Sequence, residues 1–409
     1  MKKKKIAIIG AGILGSSCAY YLSKNSDFEV FLIDRYSVGS GAASWAASLL
    51  TQVRKDPATM ALVQETYRTI EQLSKELGNP LGERRIGSLQ VVSSDTSYAS
   101  IKALENVGNE FKLNKQWISP NTVKQKLPWM DTSKVKDSLF YPDDMFLDAH
   151  VLAYAYAQVA KQRGATIIQY KDVKEVEVKD NKVKQIIFEN DERLVVDVVV
   201  DAAGAWSNIL SIPHGIQLPY SPVRSLYWIT KTDERLFPAN QPMTVIPDAM
   251  VYTKPETGAL LFGIRDKASK AFDPRELPKD LNGFEYISAE EQQNILLDEG
   301  KLFMEFFSEL EETGIAHYEA GFSTYTADSK FILGKSERIN DFYFATGCEG
   351  TGVAISGGFG RIIAELISGK TPFLNIEAYH PERFGSFNLY TTDFLQKCSD
   401  SRSNKRDGV

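Results

Sequence analysis

The chain has 409 residues, 43% of them hydrophobic and 24% charged, with a formal net charge of −6. The length predicts two or three domains at roughly 150 residues each, and the composition is that of an ordinary soluble globular protein. The acidic balance argues against nucleic-acid binding through a general positive field. Cys18, Cys348 and Cys398 lie far apart with no CxxC pair. That excludes zinc-ribbon and thioredoxin-like motifs and fits a reducing, cytoplasmic compartment. His150, His214, His317 and His380 are scattered without HxxE or HExxH spacing, so no metal site is expected.

The chain opens MKKKKIAIIG. Its lysines resemble a signal-peptide n-region, but the apolar run that follows is too short for an h-region. No segment approaches the ~20 apolar residues of a membrane span. IAIIG reads as a strand buried on both faces, GAGILG follows, SSCAYYLSKN reads as a helix, and FEVFLID as a second strand ending at Asp34. Strand, GxGxxG, helix, strand, acid is the complete dinucleotide-binding context. Gly10 permits the tight turn, Gly12 admits a pyrophosphate to the backbone, and Gly15 lets helix and strand pack closely. The helix N-terminus offers N–H groups to the phosphates. Asp34 suits an adenosine ribose and disfavours a 2′-phosphate. Gly10, Gly12, Ile13, Leu14, Gly15, Asp34 and Arg35 are therefore cofactor-binding candidates. The motif itself does not choose between NAD and FAD.

A second βαβ unit does not follow at once. Instead, residues 39–48 are all Gly, Ala or Ser except Trp45, and Arg54 lies just beyond. Small side chains let backbone N–H groups close on a ligand. Further on, VVVDAAGAWSN at 198–208 reads as a buried strand turning sharply at 202–204. FYFATG at 342–347 is another buried strand, and CEGTGVAISGGFGRIIAELISG runs from it into a helix whose N-terminus can stabilise negative charge. SAEEQQNILLDEGKLFMEFFSELEETG at 288–314 reads as a helix with Ser288 as N-cap and a glycine exit. The polar end of the tail is expected to be disordered.

These segments together resemble the FAD-dependent amine oxidoreductases of the D-amino-acid oxidase superfamily, and are most similar to the sarcosine and dimethylglycine dehydrogenases and the sarcosine and glycine oxidases. The likeness covers nearly the whole chain through four ordered stretches: GAGILG to the small-residue run, YPDDMFLDAHVLAYAYAQVAKQRGATI at 141–167, VVVDAAGAWSN, and 323–369. It implies an α/β fold: a Rossmann-like FAD-binding domain (1–83, 141–215 and 321–385) with an inserted antiparallel-sheet substrate domain (84–140 and 216–320) of α+β character, and a tail at 386–409. Ser44, Trp45, Ala46, Ala47 and Ser48 would line the flavin, Val173 the adenine, and Ala203, Gly204 and Trp206 the second cofactor turn. Gly347, Gly350, Thr351, Gly352, Val353 and Ala354 would form the C-terminal flavin motif. The length leaves no room for the folate-binding domain that many dimethylglycine dehydrogenases add.

Departures from the pattern matter as much. Dehydrogenases of this type bind FAD covalently through a histidine where this chain has Ala46, and monomeric sarcosine oxidases use a cysteine where it has Gly321 and Phe322. Noncovalent FAD is therefore expected. Leu261 stands where those oxidases carry an oxygen-activating lysine, and Ala354 where they hold the substrate carboxylate with another. Both favour a dehydrogenase. The expected reaction is oxidation of the C–N bond of an amino-acid-like amine, by hydride transfer to flavin, giving an imine that hydrolyses. Arg54, Arg224 and Arg265 are candidates to hold the carboxylate, because a guanidinium fork matches it in two hydrogen bonds. Tyr252 is expected over the flavin and Glu349 toward a cationic amine. The partners are then a small-molecule amine and an electron acceptor left open, as is the oligomeric state. A 2-hydroxy-acid dehydrogenase and a non-catalytic flavin-binding assembly factor are the alternatives; no histidine stands out to take a hydroxyl proton.

Overall fold

The computed structural model describes residues 2–267 and 269–405. A six-stranded sheet forms the first half of the architecture. Its order runs Ile332–Lys335, Phe342–Thr346, Val198–Asp201, Lys4–Ile9, Phe28–Ile33, Thr166–Ile168. The last five strands are mutually parallel and the edge strand Ile332–Lys335 is antiparallel. The continuous apolar run of the first strand follows from burial on both faces. Ile6 and Ile8 pack into the helical layer, while Ala7 and Ile9 pack against the three-stranded meander at 173–195.

The helical layer consists of Ile13–Leu22, Pro57–Leu77, Ala149–Gln162 and Gly352–Ile367. The glycines of SGGFG lie inside the last of these and let the layer pack closely. A Cβ on Gly358 would stand 2.5 Å from Leu62 Cδ2, and one on Gly360 would stand 2.3 Å from Ser17 Oγ. These glycines therefore trade helix propensity for close packing.

A second, eight-stranded sheet runs Ile315–Thr326, Tyr220–Thr230, Ala259–Ile264, Val251–Glu256, Met243–Ile246, Ser88–Val92, Asp137–Tyr141, Gln116–Ile118. It is antiparallel except for the pair Met243–Ile246 with Ser88–Val92. The strand Ile315–Thr326 runs through the boundary expected at 321 and pairs along its length with Tyr220–Thr230 in this second sheet. Two expectations are corrected. The helix expected over 288–314 starts at its Ser288 cap but ends at Glu299, and Gly300 opens a turn into shorter pieces. That break lets Phe303, Phe306 and Phe307 reach the core around Trp129. The tail is also not loose: Thr392–Ser403 is a helix with Phe394, Cys398 and Arg402 buried. Residues 406–409 lie outside the described residues. No helix among the described residues is long and apolar enough to cross a membrane.

Asp201 ends the strand that leads into the second cofactor turn. It is fully buried; its Oδ1 accepts from Ala203 N at 3.0 Å and its Oδ2 has no partner. Burial pushes its carboxyl up to about 7. The folded protein then holds this proton over a range where the unfolded chain has lost it. The stabilisation is complete at low pH and is lost as pH rises from the ordinary aspartate value toward 7, amounting to a few kcal/mol at roughly 1.4 kcal/mol per pH unit. Asp201→Asn, which mimics the protonated acid, is expected to melt above the parent at pH 8, with the gap narrowing at pH 5. A gap that does not change with pH in thermal denaturation would contradict this.

Candidate active site

The first cofactor turn is pinned by one side chain. Asp34 Oδ2 accepts from Ala11 N at 2.7 Å, and its Oδ1 accepts from Tyr36 N at 2.8 Å. Burial raises the Asp34 carboxyl, while these two N–H groups and Arg35 oppose the shift. A Cβ on Gly15 would stand 1.8 Å from Gly10 O, and one on Gly10 would stand 2.3 Å from Ala202 O. The two glycines therefore make the helix, the turn and the neighbouring strand close on one another. Gly12 differs: nothing lies within 4 Å of its absent Cβ. The helix that starts at Ile13 has no side-chain cap, so its first N–H groups face the cavity at Gly12.

That cavity measures about 650 Å³ and runs between the two sheets. Gly10, Gly12, Ile13, Leu14, Asp34, Arg35, Trp45, Val173, Ala203, Gly204 and Trp206 all line it. Arg35 lies over the Trp206 ring at 4.7 Å, and Trp45 meets Tyr286 edge-on. An acid that faces the cavity from a strand end, an uncapped helix N-terminus and an open glycine side are the donor and acceptor set that an adenosine diphosphate moiety needs. FAD fits this site.

Other residues expected in the cofactor group lie outside the lining. In the small-residue run the lining residues are Ser40, Gly41, Ala42, Ala43 and Trp45. Ser44 Oγ turns back to Gly41 O at 2.8 Å and Ser48 Oγ accepts from Ala149 N at 3.3 Å, so these hydroxyls shape the loop and do not face the cavity. Ala46 and Ala47 sit half-buried between them. From the C-terminal motif, Thr346 and Cys348 reach the cavity, while Gly347, Gly350, Thr351, Gly352, Val353 and Ala354 form the turn and first helical residues behind them. Gly352 packs against Cys348 and Ile13, which brings the two helix N-termini together.

The loop at 274–282 also closes over the cavity, a role that sequence reasoning missed. Tyr36 Oη donates to Lys279 O at 3.1 Å and Lys279 pairs with Asp172 at 3.5 Å. DPRELPKD carries no cue to this beyond its turn-forming residues.

The catalytic candidates divide. Arg224 is fully buried and paired with Asp266 at 3.1 Å and Glu291 at 2.5 Å, so it braces the sheet and is not placed to receive a substrate. Glu349 does not face an amine. Its carboxylate accepts from Thr326 N at 2.5 Å, Thr326 Oγ1 at 2.8 Å and Ser401 Oγ at 2.8 Å, because the turn at positive φ points it toward the C-terminal helix. Tyr252 and Arg265 sit together at one end of the second sheet, half-buried. Burial raises the Tyr252 phenol and the Arg265 guanidinium opposes the shift. Tyr325, in the field of Arg402 and Arg265, packs on the turn at Gly350, while Tyr252 and Arg265 are not themselves among the residues that line the cavity. Arg54 is 4% exposed; Nη1 donates to Thr51 O and Val53 O, while Nε and Nη2 have no partner. Burial pulls its guanidinium down to about 10.

A family model described as FAD dependent oxidoreductase matches residues 5–366. The chain belongs to this family of FAD-dependent oxidoreductases. It is 25% identical over 384 residues to the mitochondrial sarcosine dehydrogenase of Homo sapiens, covering 93% of this chain and 41% of that protein. It is 23% identical over 393 residues to the mitochondrial pyruvate dehydrogenase phosphatase regulatory subunit of Mus musculus, covering 93% and 43%. The chain thus spans less than half the length of these curated relatives. Among solved structures, L-proline dehydrogenase from P. horikoshii superposes with a TM-score of 0.80 at 26% identity, over 94% of this chain and 98% of that one.

Gly12→Ala is expected to leave the melting temperature of the flavin-free protein unchanged and to weaken FAD binding by about 10-fold or more, since its methyl enters the space of the phosphates. Gly15→Ala is expected to lower the melting temperature itself. Fluorescence titration of the stripped protein with FAD, beside calorimetry, separates the two; a destabilised Gly12→Ala protein with intact FAD affinity would contradict the assignment.

Proposed function

We propose that this protein oxidises the C–N bond of an amino-acid-like amine, with its carboxylate held by Arg265 and Tyr252. The observation that supports the reading is this guanidinium and phenol together at one end of the second sheet, near Tyr325, which packs on the turn that bears Cys348. When bound, FAD supplies the acceptor for the hydride that leaves the carbon next to nitrogen. The chain's own residues bind and orient. A guanidinium fork with a phenol beside it fixes a carboxylate in one direction and so aims the adjacent C–H. Phe322, Trp45 and Tyr286 form an apolar wall that keeps water from the reacting end. The imine leaves and hydrolyses in water.

Noncovalent FAD is part of the proposal, because Ala46 has no atom that could bond it. So is a preference for an acceptor other than oxygen, supported by buried Leu261 where the resemblance puts a lysine. A 2-hydroxy acid is disfavoured. His150 lies by Gly39, His214 by Phe342, His380 by Glu337, and His317 sits in the exposed part of its strand, all away from Arg265. The mouse relative is a regulatory subunit by its name, which keeps a non-catalytic flavoprotein as the second reading.

Anaerobic mixing of the FAD-loaded protein with amino acids, N-alkyl amino acids and 2-hydroxy acids decides between these. Bleaching by amines and not by hydroxy acids is expected, followed by slow reoxidation in air. Arg265→Ala should raise the half-saturating amine concentration by about 100-fold, consistent with losing two charge-assisted hydrogen bonds, and Arg265→Lys should recover part of it. Bleaching by no compound in the panel would favour the non-catalytic reading.

A further inference from the structure

The segment 272–288 contains no helix or strand. It leaves the second sheet at Phe272, whose N donates to Pro222 O at 2.8 Å. It then runs along the cavity from Pro274 to Asn282 and returns to the helix that starts at Ala289. Its root is aromatic. Ring centres of Phe272 and Phe284 stand 6.0 Å apart, and those of Phe284 and Tyr286 4.9 Å apart. Tyr286 in turn meets Phe322 of the second sheet at 5.4 Å and Trp45 of the small-residue run at 5.7 Å. These contacts hold by dispersion and apolar burial, which salt does not screen.

The tip is polar and is held from the first-sheet side of the cavity. Lys279 O accepts from Tyr36 Oη at 3.1 Å and from Arg35 Nη1 at 3.4 Å, the two residues that follow Asp34. Lys279 Nζ pairs with Asp172 at 3.5 Å and with Glu189, and both acids line the cavity beside it. The tip therefore stands at the end of the cavity where Asp34 and Gly12 suit an adenosine diphosphate moiety. The side chains of Lys279 and Glu189 are 67% and 45% exposed, so their ion pair is weak and screened by salt. Among the described residues, no backbone-to-backbone hydrogen bond joins 273–285 to either sheet. The walls opposite are strand ends and turns tied by ladder hydrogen bonds, so this segment opens at lower cost than they do.

We propose that residues 273–283 form a strap that parts for FAD to enter and then latches through Lys279, so that the latch sets how fast the cofactor exchanges. This rests on the preceding reading that FAD is noncovalent. Ala46 offers the flavin no bond, and retention falls to the walls of the site. The strap lifts at its tip and stays hinged at its root, because screened charges and two hydrogen bonds hold the tip while packed rings hold the root. Tyr286 and Trp45 also wall the reacting end, so the adenosine end opens first.

The test measures FAD exchange in both directions. Quenching of flavin fluorescence on mixing FAD with the stripped protein gives the association rate. Protein loaded with isotope-labelled FAD and chased with unlabelled FAD gives the release rate. The double variant Tyr36→Phe, Lys279→Ala should speed both by about 10-fold, with Kd changing less than either rate, since a latch bars the way in and the way out alike. Raising KCl from roughly 0.05 M to about 0.5 M should speed both in the parent and much less in Lys279→Ala. Faster release with unchanged association would make these side chains direct holders of FAD and overturn the latch. So would unchanged rates, or a salt response equal in parent and variant. If the double variant fails to fold, the salt response of the parent against Lys279→Ala decides. The two readings fail separately. No exchange in any protein, with the flavin in the acid-precipitated pellet, would overturn noncovalent binding and the latch with it. Unchanged exchange rates with the flavin in the supernatant would overturn the latch alone.

Discussion

A single hydrogen bond, from Ala11 N to the Asp34 carboxylate, organises the cofactor side of this protein. It ties the glycine turn after the first strand to the end of the second. With Gly15 pressed on Gly10 and Gly10 pressed on Ala202, three backbone segments meet at contact distance around one open position, Gly12. The uncapped N-terminus of the first helix faces that opening. The helix Gly352–Ile367 packs on the first through Ser17, whose Oγ donates to Ser356 O at 2.7 Å, and thereby brings a second uncapped N-terminus alongside. The cavity follows from these contacts, and the second sheet forms its opposite wall.

The cofactor half was legible because its determinants are local. Periodicity places the strands at 6–9 and 28–33, and the glycine spacing and the acid fall within one βαβ unit, so a short window of sequence contains the whole device. The small-residue run was legible as a close-approach loop, but not in its phase. Which of Ser40 to Ser48 faces the cavity depends on the hydrogen bonds made by Ser44 and Ser48, and one of those reaches Ala149 across the fold. The helix containing SGGFG was legible, but the reason for its glycines was not, because it is the approach of Leu62 and Ser17 from two other helices.

The substrate half was legible in its strands and much less in its charges. Arg224 and Arg265 look alike in sequence, each in or after a strand-like run. Arg224 is engaged by Asp266 and Glu291, 42 and 67 positions further along the chain, which its local sequence does not announce. Glu349 was expected at an amine because it sits in the flavin motif, but its positive φ swings the side chain toward Ser401. The polar tail satisfied the compositional rule for disorder. That rule counts residues and cannot see that Arg402 finds a buried partner in Asp266, 136 positions earlier.

The most direct test of this account is the visible spectrum of the purified protein, recorded before and after acid precipitation, with FAD added back to the stripped chain. The account predicts one FAD per chain, released into a yellow supernatant and rebound on refolding. A yellow pellet would mean a covalent bond, contradicting the noncovalent reading and directing attention to Cys348, whose residue lines the cavity. No bound flavin under any of these conditions would contradict the central claim.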